Sequence, residues 1–479
     1  MSHSLARRSY VLIAAVNLFG GLSQVPSKSK LGKIWLKCGV VIVCAALACV
    51  NSPAWSQSSS NSLSIRLGER LFRDARFSTS QGDLPASCSS CHLFDEDPQG
   101  TRAFADFFNR SWISFRTQLP QRFELRNSPA LFDVAKMPRL HFDGEFASLE
   151  DLVKGTFSGR PMGWLPEEKD QALAQLQAVV LQDHGDESGK ENYREQFKKA
   201  YNVELEKLSR AEVVNLVARA IADFMRTLNS PMNSPYDQFV KLNKLEAALA
   251  NGESIQEFSK RGLAKISELE QAKTLRLTKG FDRTALAGLK IFFDPATGNC
   301  VTCHAPPLFT NNLFHNLGIS QIEYDQIHGA GKFATLNIPG AAEAVRPTTQ
   351  WREIPISSKP ENVDLGYWNF VNLKTSVLRR ANESDEQFLP RMIGTFKTPG
   401  LRHLASTYPY MHNGAYTTLT DAINEIRRLS EMARAGEIRA ADEELKKIKL
   451  TEADITALIV FLNTLNEDLK RSYSVSMTK

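Results

Sequence analysis

Cys88-Ser89-Ser90-Cys91-His92 and Cys300-Val301-Thr302-Cys303-His304 are the two stretches that decide how this chain is read. In each, a pair of thiols is followed at once by an imidazole. One helical turn presents both sulfurs and the ring to the same side, which is the arrangement that attaches a c-type haem. The thiols add to the vinyl groups and the histidine becomes the proximal iron ligand. Zinc is the competing reading of C-x-x-C, but it needs a fourth ligand that the sequence near neither motif offers. Two c-type haems are therefore expected, attached at Cys88, Cys91, Cys300 and Cys303, with His92 and His304 as axial ligands.

The other cysteines, Cys38, Cys44 and Cys49, lie in an apolar N-terminal stretch. A basic flank of Lys28, Lys30, Lys33 and Lys37 precedes the apolar run Cys38 to Val50, and Ala54-Trp55-Ser56 offers a small-x-small cleavage site. The run is short for a membrane span. Residues 1–56 thus read as a targeting segment with a signal peptide, a retained membrane anchor being the second reading, and the expected location is the periplasm. Removing that segment leaves only the haem-motif cysteines, which suits an oxidising compartment. The stretch around Arg7-Arg8 is odd for a signal peptide and suggests an over-extended start. A formal net charge of +5 over 479 residues, without a basic run outside that flank, argues against nucleic acid as a partner.

Outward from the motifs the chain repeats itself. Gly68-x-x-Leu71-Phe72-x-Asp74 precedes the first motif, and Gly288-x-x-Ile291-Phe292-Phe293-Asp294 precedes the second. Later, Pro129-x-Leu131 pairs with Pro399-Gly400-Leu401, and Asp143-Gly144-x-Phe146 with Asn413-Gly414-x-Tyr416, at the same spacing in both copies. Apolar-periodic runs ending near Leu228 and Leu465 predict a helix in each copy, with Ser209 and Thr451 as N-caps. The expected fold class is all-α: two homologous cytochrome c-like domains, residues 57–270 and 271–479, each with one covalent haem. A Pro-, Gly- and polar-rich insertion at about 319–394 is too long for a plain connection, so it is either functional or mobile.

The chain resembles the bacterial di-haem cytochrome c peroxidases, a superfamily shared with the di-haem enzyme that matures the cofactor of methylamine dehydrogenase. The resemblance runs from about Gly68 to Leu465. It is carried by both haem motifs, Arg126-Asn127-Ser128-Pro129, Phe142-Asp143-Gly144, Phe396-Lys397-Thr398-Pro399-Gly400-Leu401-Arg402 and Pro409-Tyr410-Met411-His412-Asn413-Gly414. It implies a helical, two-domain periplasmic protein in which one haem meets H2O2 while the other feeds in or stores electrons. It also implies a calcium ion between the domains on Asn127, Thr407 and Pro409, oxygen donors that suit a hard cation. A small c-type cytochrome or similar periplasmic donor is the implied electron source, and a homodimer is possible.

The departures from that pattern bear on mechanism. Phe142 stands where the peroxidases have a tryptophan between the haems, Leu152 in place of a distal glutamine, and Met162 in place of the distal glutamate that moves the peroxide proton. Met162 is either a thioether ligand to iron or an apolar filler. His141 and Arg160 are the nearest residues able to replace the lost base and to stabilise charge. At the second haem Ile426 replaces a methionine or tyrosine ligand, which leaves Met432 and Met392 as candidate distal ligands. No histidine lies between His92 and His141, so the resting-state histidine ligand of some peroxidases is missing. The expected function is a peroxidase reducing H2O2. The alternatives are an oxidase of a partner protein or organic substrate, and a non-catalytic electron-transfer or redox-sensing cytochrome.

Overall fold

The computed structural model describes residues 62–79, 86–92, 126–185 and 191–467. The expected targeting segment lies outside them. In chain order the helices are α1 (Ser62–Phe72), α2 (Cys88–Cys91), α3 (Leu149–Phe157), α4 (Lys169–Gln182), α5 (Tyr193–Tyr201), α6 (Arg210–Met225) and α7 (Pro235–Leu242). They continue with α8 (Ile255–Gln271), α9 (Arg283–Phe293), α10 (Ile319–His328), α11 (Asp385–Arg391), α12 (Leu419–Arg434) and α13 (Glu452–Asn463). Two short strands, β1 (Phe314–His315) and β2 (Phe396–Lys397), pair antiparallel with Phe314 opposite Lys397.

Local sequence accounts for the two long repeat helices. Ser209 accepts from the Glu212 amide and the Glu212 carboxylate accepts from the Ser209 amide, closing a capping box at the start of α6. Thr451 and Asp454 do the same for α13. α1 crosses α6 at Gly68, where a Cβ would sit 1.9 Å from the Ala220 carbonyl oxygen. α9 crosses α13 at Gly288, where a Cβ would lie 2.0 Å from the Ala457 carbonyl oxygen. Only glycine permits either approach. The repeat seen in the sequence is thus a repeat of helix crossings.

It extends into the turns. Isolated bridges join Leu140 to Phe146 and Tyr410 to Tyr416, each closing a turn with left-handed backbone. His141 (φ 62°) and Gly144 (φ 70°) occupy that region in the first turn, and Met411 (φ 70°) and Gly414 (φ 66°) in the second. Ser148 caps α3 and Thr418 caps α12 by the same side-chain bond. His141 and Met411 are therefore equivalent positions filled by different chemistry.

Four apolar cores organise the described residues, the smallest joining Ile319 to Leu429, Ala433, Ile438 and Leu445. The first runs from Leu67 to Leu228 and the second from Tyr236 to Leu465. By packing, α7 and α8 join the second core. The reason is that Tyr236 and Phe239 lie among Phe281, Phe292 and Phe461. The third core belongs to the expected insertion. Phe333, Val363, Leu365, Trp368, Phe388 and Leu389 are buried with one another, so segment 319–394 packs as a folded lobe. The chain is mainly helical, as expected, with one small two-stranded sheet, β1–β2, joining the two ends of that lobe.

Candidate functional site

Both haem motifs fold into a single turn. In α2 the His92 amide donates to the Cys88 carbonyl at 2.9 Å, and the His304 amide closes on the Cys300 carbonyl at the same distance. The four thiols form no disulfide. Burial pushes the Cys88 and Cys300 thiols up to about 12, so both stay neutral. His304 is pulled down to about 4 by burial, and its Nδ1–H donates to the Phe309 carbonyl at 3.0 Å. That bond fixes the tautomer and leaves the Nε2 lone pair for a metal. Among the described residues, neither motif belongs to a group of three or more side chains placed to hold a metal ion. Each motif instead lines a cavity walled largely by apolar side chains. Thiols, a neutral imidazole and an apolar slot fit a covalently held haem.

Around Cys88, Cys91 and His92 the cavity wall includes Phe72, Leu152, Phe157 and Met162. Met162 is 1% exposed and sits at the end of the Arg160–Met162 turn that follows α3. Beyond this apolar part, a cleft of about 460 Å³ opens beside Cys91 and His92. Its wall is charged: His141, Glu145, Arg160, Arg352 and Glu353 all line it. His141 Nδ1 lies 3.2 Å from a Glu145 carboxylate oxygen. Because a carboxylate can only accept, Nδ1 donates and Nε2 is left free to accept a proton. Arg352 donates to Glu145 at 2.5 Å and to Asp143 at 3.0 Å. Arg126 joins Asp143 at 2.6 Å and grips Asp364 with two bonds of 2.7 Å. Arg160 holds Glu353 at 2.5 Å.

Asp143 and Asp364 are wholly buried, and desolvation alone would raise both carboxyls. Arg126 overrides it and holds both below the usual range, helped at Asp143 by Arg352. His141, Asp143 and Glu145 also approach one another closely enough to hold a metal ion. The two guanidiniums already on these carboxylates make that use unfavourable.

The second cavity, around Cys300, Cys303 and His304, is walled mainly by aliphatic and aromatic groups, among them Leu317, Ile319, Met411 and Ile426. His315 also lines it, with Nδ1 2.7 Å from Asp442 and Nε2 3.0 Å from Asn311. Neither expected thioether reaches this wall. Met392 is buried in the third core beside Leu389 and Ile393. Met432 lies on α12 six residues past Ile426, which turns it by roughly 240° around the helix axis. Its sulfur accepts from Arg428 at 3.0 Å. The methionine that lines the cavity is Met411, which sequence reasoning passed over.

Phe142 and Lys397 lie between the cavities and line both. The Lys397 amide donates to the Phe142 carbonyl at 2.7 Å. Burial pulls the Lys397 ammonium down to about 8, and it donates to the Met137 sulfur and the Arg139 carbonyl, each at 3.0 Å. Asn127 ties the halves together: its amide nitrogen donates to the Pro409 carbonyl at 2.7 Å and its backbone amide to the His412 carbonyl at 2.8 Å. Thr407 lines the same cavity.

The model of the di-haem cytochrome c peroxidase family matches residues 62–244. Over that stretch the chain is similar to the di-haem cytochrome c peroxidases. Among curated relatives, the cytochrome-c peroxidase IdrP2 of Pseudomonas sp. (strain SCT) is 24% identical over 87% of this chain and 85% of its own length. The methylamine utilization protein MauG of Methylophilus methylotrophus is 23% identical over 84% of this chain and 81% of its own. The crystal structure of the di-haem peroxidase BthA from Burkholderia thailandensis shares the fold with a TM-score of 0.51, at 19% identity over 84% of this chain and 86% of that one. These relatives are named as di-haem oxidoreductases, and the chain shares their mainly helical fold.

The structure brings His141 and Arg160 to one cleft beside the first haem motif. It also adds residues that the sequence did not point to. Glu145 had a local signal, lying four positions after His141. Arg352, Glu353 and Asp364 had none, because folding alone brings them to residues about two hundred positions earlier in the chain.

Proposed function

We propose that this protein is an exported, periplasmic di-haem peroxidase that carries out H2O2 + 2 e⁻ + 2 H⁺ → 2 H2O. Its electrons come from a small c-type cytochrome or similar donor. The observation that carries this reading is the His141–Glu145 pair at the charged cleft beside Cys91 and His92. Cys88, Cys91 and His92 would hold the first haem, and Cys300, Cys303 and His304 the second, in homologous halves. When bound, the haems supply the redox centres that accept donor electrons and deliver them to peroxide.

The chain's own residues supply proton handling. Heterolysis of the O–O bond requires a proton to leave one peroxide oxygen and arrive on the other, which then departs as water. His141 performs this at Nε2 while Glu145 holds its Nδ1–H. Arg160 lends positive charge to the cleft. The mostly apolar second cavity suits a haem that stores and passes electrons, and Met411 is the thioether on its wall. Asn127, Thr407 and Pro409 suit a calcium ion: the Asn127 amide already meets the Pro409 carbonyl, and turning that amide over would present Oδ1 instead.

A second reading, an electron-transfer cytochrome, is favoured by Met162, buried in the cavity that holds His92. The deciding experiment is peroxide turnover by the two-haem protein with a reduced cytochrome donor, alongside EPR of both ferric haems. The peroxidase reading expects turnover and a first haem whose spectrum responds to H2O2. Two low-spin haems indifferent to peroxide would leave the electron-transfer reading standing. Peroxide-driven oxidation of an organic or protein substrate, with no turnover of the cytochrome donor, would mark an oxidase.

A further inference from the structure

Segment 319–394 follows the second haem motif in the chain, and nothing in the proposed reaction assigns it a task. Its inner face nevertheless ends at the first motif's cleft. Pro347, Thr348, Thr349, Arg352 and Glu353 line that cleft opposite the turn that carries His141. Phe314 and Tyr367, stacked at 3.7 Å, press on the same turn at Gly144, where a Cβ would sit 2.5 Å from the Phe314 ring. A glycine with φ 70° is what lets the lobe come so close.

We infer that this lobe is a working wall of the first haem's cleft, and that Arg352 is the positioning residue that holds Glu145 against His141. The geometry supports it at three points. Arg352 bridges Asp143 at 3.0 Å and Glu145 at 2.5 Å, the residues on either side of Gly144, so it clamps the turn. Asp143 is itself pinned by Arg126, whose other face is held by the lobe's Asp364. The imidazole at the end of this chain sits in the same left-handed turn (φ 62°) that Phe314 packs against at Gly144. A chain of ionic contacts therefore runs from the lobe, through Arg352 and Glu145, to His141 Nδ1. Without Arg352 the Glu145 carboxylate loses its partner on the lobe and the imidazole loses a fixed orientation.

This inference rests on the reading of His141 as the cleft's base, and its test needs no peroxide turnover. Hydrogen cyanide must give up its proton to bind ferric iron, so its rate of association at the first haem reports a positioned base. The oxidised two-haem protein and its H141A, R352M, R352K, E145Q and K374Q variants would be compared from pH 5 to 9. The second haem's spectrum serves as the internal check on folding. We expect H141A to slow association about 100-fold and R352M and E145Q about 10-fold or more, each with an altered pH profile. R352K should recover most of the rate, and K374Q, on the lobe's exposed surface away from the cleft, should stay within about 2-fold of the parent. Overturning results are an R352M rate and pH profile equal to the parent's, or an R352M loss that R352K does not relieve. A parent first haem that takes no cyanide would overturn it too, since His141 would then have no ligand to deprotonate. Absence of peroxide turnover with these rate ratios intact would instead overturn the peroxidase reading and leave the positioning role in place.

Discussion

The two haem cavities are built on one plan and finished differently. Each is reached from a C-x-x-C-H turn, flanked by a glycine-mediated helix crossing, and roofed by a left-handed turn closed by a short bridge. At equivalent places in those roofs stand His141 and Met411. Around His141 the wall is ionic, with Glu145, Arg160, Arg352 and Glu353 facing a cleft; around Met411 it is mainly Leu317, Ile319 and Ile426. The difference teaches that a duplicated scaffold can keep its backbone and divide labour through side chains. On the proposed peroxidase reading, a base that can exchange protons belongs beside the haem that would meet peroxide. An apolar pocket favours a metal centre that changes charge without moving protons.

The comparison can be broken most severely at the attachment points. Replacing Cys300 and Cys303 by alanine should remove one covalent haem per chain, and replacing Cys88 and Cys91 should remove the other. Pyridine haemochrome stoichiometry falling from two to one checks this, and only the first-motif variant should lose the peroxide-responsive haem. Next in size, His141→Ala should lower peroxide turnover by about 10²–10⁴-fold. Met411→Ala should change turnover far less but alter the second haem's spectrum and potential. Equal effects of the two would show that the cavities are not specialised.

A third contrast is energetic. Asp143→Asn leaves Arg126 and Arg352 short of a buried partner and should cost about 3–5 kcal/mol in denaturant unfolding at neutral pH. At the equivalent Asn413 the side chain accepts from the Ala415 amide and, among the described residues, forms no ion pair, so substitution there should be mild. The pH dependence follows from the same pairing. Asp143 has a folded-state pKa below its ordinary value of 3.8, so the stability it contributes is present above that value. That stability is lost as pH falls through the depressed folded value. The Asp143→Asn variant should therefore show a shallower decline of stability below about pH 4.

The smallest contrast concerns Met162 and the cleft's outer ion pair. If Met162 only fills space, Met162→Ala costs about 2–5 kcal/mol and leaves the ferric spectrum unchanged. If it ligates iron, the spectrum moves to high spin. Glu353→Gln, breaking a half-exposed pair with Arg160, should cost about 0.2–1 kcal/mol.

Much of this fold was legible in the sequence for a local reason. The haem turns, the capping residues Ser209 and Thr451, and the paired glycines Gly68 and Gly288 each work through neighbours a few positions away or through a spacing that occurs twice. The candidate site was legible only in part. His141 and Arg160 could be singled out as the polar residues nearest a lost glutamate, and Glu145 follows His141 closely enough to have been found. Met392 and Met432 were candidates by residue type alone. Their placement depends on which face of α12 is buried and on the lobe having its own core, neither of which residue type reveals.

The sequence by itself determined the covalent chemistry and the duplication, because thioether attachment and helix crossing are specified by adjacent residues and repeated spacing. Only the tertiary structure decided which side chains finish each cavity. Arg352, Glu353 and Asp364 reach the first cleft from a lobe that follows the second motif, and Met411 supplants Met432 on the second cavity's wall. Ionic contacts between residues about two hundred positions apart leave no periodic or local trace in a chain. They exist only once burial has made an unpaired charge too costly to leave alone.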